Sequence, residues 1–123
     1  MTGQELKVSW SGRHAIVTMP DEIDLGNSGD VDEQLKAVAG QTPELITADL
    51  TGTVFCDSAG VYVLTRTHEL VAAKGGELRL AIGDSPVARI FELTGLDQIM
   101  PVYRDVQQSL DTPRAEPGPE PGG

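Results

Sequence analysis

Asp57, Ser58, Ala59 and Gly60 are the residues of this chain whose types and order most plainly suit chemistry. They follow Val54-Phe55-Cys56, come after a strand-like run that ends in Asp49-Leu50, and open a helical pattern that runs to about Ala73. A serine in the first turn of a helix lies where backbone N–H groups lack an intrahelical partner and where the helix dipole is positive. A negative group placed there meets free donors, so Ser58 is a natural site for a phosphate.

A purely structural role explains the same residues. Ser58 or Asp57 can act as a helix cap, and Gly60 can exist to let the helix approach a strand closely. Catalysis by Ser58 would need a base. His68 lies ten helical residues further on, about 15 Å along the axis at 1.5 Å per residue. A nucleophile and its base need roughly 2.6 to 3.2 Å, so this pair fails, and His14 would approach only by an accident of the fold. His68 reads as a satisfied core histidine and Trp10 as a core or edge-strand residue. Cys56, the single cysteine, cannot form an internal disulfide and reads as a small core residue. His14, Cys56 and His68 match no metal-ligand spacing, and no cofactor is implied.

The elements that must carry the motif follow from periodicity. Leu6, Val8 and Trp10 alternate with polar residues, Ser11-Gly12-Arg13 breaks the run, and His14 to Met19 resumes it, which predicts two antiparallel strands. Asn27 and Ser28 are N-cap residues for a helix with Val31, Leu35 and Val38 on one face, ending at Gly40. Glu44 to Leu50 predicts a strand covered on both faces. The helix from Ser58 shows Val61, Leu64, His68 and Val71 on one face, broadened by Val63 and Leu70, and stops at Lys74-Gly75-Gly76. Leu78 to Ile82 predicts a strand, Asp84-Ser85-Pro86 a helix start ahead of Val87, Ile90, Phe91 and Thr94, Ile99 to Tyr103 a fifth strand, and Asp105 to Asp111 a last helix. The fold class is therefore α/β, a mixed sheet of about five strands with about four helices and right-handed crossovers. The motif falls on the rim beyond the carboxyl ends of the strands, where open α/β sheets usually place their sites.

Size and charge bound what such a site serves. The chain has 123 residues, 39% of them apolar, which suits one domain with a real core. Residues 1–111 form that domain; 112–123 hold four prolines and three glycines and are expected to be a disordered Pro/Gly/Glu-rich tail. Nine basic against nineteen acidic residues give a net charge of −10 with no basic cluster, so direct nucleic-acid binding is disfavoured. No apolar run approaches the roughly 20 residues of a membrane span, and Met1-Thr2-Gly3-Gln4-Glu5 does not resemble a signal peptide, so a cytoplasmic protein is expected.

Taken in order, Glu22-Ile23-Asp24, Asp57-Ser58-Ala59-Gly60, Lys74-Gly75-Gly76-Glu77-Leu78 and Ser85-Pro86-Val87 to Phe91-Glu92-Leu93-Thr94-Gly95-Leu96 resemble the STAS domain family, within it the single-domain bacterial anti-sigma factor antagonists. The resemblance implies a partner-switching regulator of transcription. The unphosphorylated protein would bind an anti-sigma factor serine kinase, whose ATPase fold is akin to that of histidine kinases, and so release a sigma factor. Phosphorylation of Ser58 would switch it off, and a PP2C-type phosphatase would restore it. Asp24, Asp57, Ser58, Ala59 and Gly60 are the partner-binding residues so implied, and the protein would not be an enzyme. Ala59 replaces a second hydroxyl residue common in the family, leaving Ser58 as the sole acceptor of the motif. Asp21 replaces a glycine before Glu22-Ile23-Asp24, although Asp24 is kept. The same fold also serves as a constitutive interaction subunit of a transporter or signalling complex, without a switch at Ser58. Nucleotide binding has no Gly-rich phosphate loop with a lysine to support it.

Overall fold

A computed structural model describes residues 5–114. Strands β1 (Lys7–Ser11) and β2 (His14–Thr18) form a hairpin whose connection holds Gly12 at φ +60°, a left-handed conformation that glycine adopts without strain. The chain continues through β3 (Glu22–Ile23), α1 (Ser28–Ala39), β4 (Leu45–Asp49), β5 (Phe55–Cys56), α2 (Ser58–Ala73), β6 (Glu77–Ala81), α3 (Ala88–Thr94), a 3-10 turn (Leu96–Gln98), β7 (Val102–Tyr103) and α4 (Val106–Asp111).

The main sheet has the order β1-β2-β4-β6-β7, antiparallel at β1 and parallel elsewhere. Each parallel step moves the same way along the sheet, so right-handed crossovers stack α1, α2 and α3 on one face. Alternation then sorts the strands: Ala15, Val17, Ile46, Ala48, Leu78 and Leu80 are fully buried and join Val31, Leu35, Val63, Leu64, Val71 and Phe91 in one core. The five-stranded mixed sheet and four helices match the sequence expectation.

The opposite face is built differently. His14, Thr47 and Arg79 point there and are buried under α4. His14 Nε2 lies 2.6 Å from Thr47 Oγ1, which lies 2.7 Å from Ser109 Oγ. Arg79, 1% exposed, donates to the carbonyls of Ser109 and Thr112 at 2.6 and 2.7 Å and to Glu77 Oε2 at 2.7 Å. Thr112, the first residue assigned to the tail, is thus tied to the sheet, and 115–123 lie outside the described residues.

Three sequence expectations are corrected. The inward stripe of α2 is Gly60, Val63, Leu64, Thr67 and Val71. Thr67 replaces His68 because its hydroxyl bonds the Val63 carbonyl at 2.9 Å and so can be buried. His68 is half-buried, and its Nδ1 is shielded with no hydrogen-bond partner among the described residues, so it is not a satisfied core histidine. Helix α3 begins at Ala88 and not beside Ser85-Pro86, because the Ser85 side chain and carbonyl are spent on a preceding turn that receives the amides of Val87 and Ala88 at 3.2 and 3.1 Å.

Candidate functional site

Two strands too short to show a period assemble the site. β3 and β5 pair in parallel, Glu22 with Phe55 and Ile23 with Cys56, as a separate two-stranded sheet. The pairing is extended at both ends: the Val54 amide donates to the Asp21 carbonyl at 2.7 Å, and the Asp57 amide to the Ile23 carbonyl at 3.1 Å. Behind them, Thr53 is buried and its hydroxyl donates to the Pro20 carbonyl at 2.8 Å. The Ser85 hydroxyl donates to the Thr53 carbonyl, which fixes the same loop from the β6–α3 side. The segment carrying Asp24 and the segment carrying Ser58 therefore form one backbone unit.

Asp57 caps α2. Its φ of −94° and ψ of −171° are extended, and its Oδ1 accepts from the amides of Ala59 at 2.9 Å and Gly60 at 3.3 Å. This alters the argument made from sequence, in which those donors awaited a phosphate on Ser58. A carboxylate of the chain already occupies two of them. Ser58 is exposed, and its hydroxyl makes no hydrogen bond among the described residues. Ala59 is half-buried beside it.

Gly60 is buried, and its role is packing. A Cβ there would lie 2.5 Å from Cys56 Sγ and 2.9 Å from Ile23 Cγ2, so the first turn of α2 rests directly on the β3–β5 pair. Cys56 is 4% exposed, and burial, followed by the Asp57 charge, pushes its thiol up to about 11. An unreactive core thiol is what that environment makes.

Asp24 turns its carboxylate back on its own loop. Oδ1 accepts from the amides of Gly26 at 2.9 Å and Asn27 at 3.2 Å, while Asn27 Oδ1 accepts from the Asp24 amide at 2.9 Å. The half-buried Asp24 thus shapes the entry to α1.

The β3–β5 unit and the first turns of α2 carry four exposed apolar side chains that periodicity did not single out as a surface. Leu25 is 81% exposed, Val54 59%, Phe55 47% and Tyr62 61%. Leu25 follows Asp24, Val54 and Phe55 precede the motif, and Tyr62 lies one helical turn beyond Ser58. The available signal was their position: large apolar residues on loops or off the inward stripe of their element. Tyr62 is also braced, with the Arg66 guanidinium 5.7 Å from its ring centroid and Arg66 Nε 3.9 Å from Asp32 Oδ1 on α1.

Chemically, the site offers an exposed hydroxyl with no base bonded to it among the described residues. His68 lies ten residues along α2, and His14 is held by Thr47 on the other face of the sheet.

The family profile described as STAS domain matches residues 6–109. An anti-sigma F factor antagonist of Paenibacillus polymyxa is 34% identical over 96 residues, covering 77% of this chain and 82% of that protein. The anti-sigma-F factor antagonist RsfA of Mycobacterium tuberculosis is 31% identical over 97 residues, covering 77% and 76%. The crystal structure of an anti-sigma factor antagonist from Mycobacterium paratuberculosis shares the fold at a TM-score of 0.79 and 23% identity, over 89% of this chain and 96% of that one.

Proposed function

The chain belongs to the STAS domain family, and on that footing we propose that it is an anti-sigma factor antagonist switched by phosphorylation of Ser58. The unphosphorylated form binds an anti-sigma factor serine kinase and releases the sigma factor that the kinase holds. A PP2C-type phosphatase regenerates the binding form. The observation that carries this reading is an exposed, unbonded serine hydroxyl at the start of α2, on the same β3–β5–α2 unit as exposed Leu25, Val54, Phe55 and Tyr62. Phosphoryl transfer by a kinase asks only that the hydroxyl be reachable, since metal and base come with the kinase. The chain itself acts as a binding module and not as an enzyme, and it works in the cytoplasm. Among the described residues no helix is long and apolar enough to cross a membrane.

The geometry supports a switch at the interface. Phosphorylation adds a charge of about −1.5 to −2. That charge meets the Asp57 carboxylate, which already accepts the Ala59 and Gly60 amides. Buried against a partner, the two negative groups repel and remain under-compensated. Reversing occupancy from 99:1 to 1:99 takes about 5.5 kcal/mol of differential affinity, which a phosphate without cationic partners in a desolvated interface can supply.

The test is a pull-down from lysate of the source organism with wild type, Ser58→Ala and Ser58→Glu as parallel baits. An anti-sigma kinase recovered by wild type and Ser58→Ala but lost by Ser58→Glu is the expected result. Equal recovery of the same proteins by all three baits overturns the switch and leaves a constitutive interaction subunit.

A further inference from the structure

The edge of the sheet at β7 carries a second surface, which the switch at Ser58 does not use. A cavity of 290 Å³ opens between α3 and the β6–β7 edge, with Ile82, Phe91 and Val102 among its apolar lining residues. Asp84, Glu92 and Asp97 also line it, and none of the three makes an ion pair among the described residues. Its one cation is Arg104, whose Nε lies 3.8 Å from Asp105. The groove therefore carries an excess of negative charge over an apolar floor, and low-dielectric walls concentrate such a field.

The backbone adds a third element. β7 is the last strand of the sheet. The Leu80 and Ile82 amides donate to the carbonyls of Pro101 and Tyr103, each at 2.9 Å. In a parallel ladder the residue between those two acceptors turns its own N–H and C=O the other way, so Val102 presents both to the open edge. Its side chain is 40% exposed and lines the cavity. A strand edge, an apolar slot and three unpaired carboxylates thus converge on one groove.

We propose that this groove docks an extended basic segment of a partner protein, in which an apolar side chain enters the slot and a Lys or Arg two positions to either side, on the same face of the strand, meets the carboxylates. Strand addition at an open edge draws affinity from main-chain hydrogen bonds and specificity from side-chain pockets. Here the main-chain contact is Val102, the pocket is formed with Ile82 and Phe91, and the selecting charges are Asp84, Glu92 and Asp97. The proposal is independent of the switch at Ser58, which lies on α2.

The experiment is an amide-shift titration of the isotope-labelled full chain with the peptide acetyl-Lys-Thr-Val-Thr-Lys-amide, whose Val and two Lys share one face of an extended strand, and with the same peptide carrying Glu in place of Lys. Perturbations confined to residues 82–84, 88–92, 97 and 102–104 are expected for the basic peptide only. Glu92→Lys and, separately, Asp97→Asn should each weaken binding, the charge reversal by about ten-fold or more. The proposal is overturned if the basic peptide perturbs no residue, perturbs acidic surface throughout the protein, or binds as well after both substitutions. It is also overturned if the Glu peptide binds equally.

Discussion

The Asp57 amide donates to the Ile23 carbonyl at 3.1 Å, so the residue that caps α2 is also the last rung of the β3–β5 pair. Helix start and strand pair cannot move independently. Ser58, the next residue, is held at a fixed height above that junction, although its own side chain bonds to nothing among the described residues.

Replacing Asp57 by Ala removes the acceptor for two helix-terminal amides, and loss of such a cap costs about 1 kcal/mol. Urea unfolding should show this loss. Ser58→Ala, which removes no hydrogen bond among the described residues, should unfold within about 0.5 kcal/mol of wild type. Equal destabilisation by the two substitutions would contradict the cap assignment.

Gly60→Ala forces a methyl group into contact with Cys56 Sγ and Ile23 Cγ2. Overpacking of this kind costs about 1 to 3 kcal/mol. Cys56→Ala removes the nearer obstruction, so the double variant should be more stable than the sum of the two single effects allows. A thermodynamic cycle from denaturant melts measures that coupling.

The Cys56 thiol, pushed up to about 11 by burial and then by Asp57, stays protonated in the folded chain where an ordinary thiol of 9.0 would ionise. The stabilising contribution is complete below the ordinary value and is lost as pH rises through the folded value. Alkylation by iodoacetamide at pH 8 should therefore follow global unfolding, and denaturant should accelerate it. Fast modification of the native protein would be the contrary result.

His14 is shifted the other way, below its ordinary 6.5, by burial and then by the Arg79 charge. The unfolded chain therefore takes up a proton first. Stability tied to neutral His14 is complete above pH 6.5 and is lost as pH falls through the lower folded value. The acid limb of the stability curve should be shallower in His14→Gln than in wild type, as read from unfolding midpoints across pH.

Arg79 and Ser109 meet across 30 residues of sequence, a pairing with no local signal. Leu78 and Leu80 announce a strand by alternation, and that strand forms as β6. The same alternation puts Arg79 on the opposite face without saying what covers it; α4 does, and Arg79 is 1% exposed. The cover is recognisable only when Ser109 and Thr112, 30 and 33 residues away, supply their carbonyls. Local pattern was legible: the order of strands and helices, the inward face of α1, the burial of β4 on both faces, and the place of Ser58 at a helix start. Residues whose role depends on a distant partner were not. β3 and β5 span two residues each and carry no period, so the pairing that joins Asp24 to the Ser58 motif left no local trace. Tyr62 lies off the inward stripe of α2, and a periodicity that marks only the buried face does not show that it turns outward beside Arg66.

The capping of α2 by Asp57 bears on how long a signal written on Ser58 can last. With the Ala59 and Gly60 amides already engaged by Asp57, a phosphate on Ser58 would find neither of them free as a donor within its own domain. The fold then keeps no memory of the modification. Under the switch proposed above, its lifetime would be set by the enzymes that add and remove it, and the free protein would answer to the current ratio of those two activities, not to its own history.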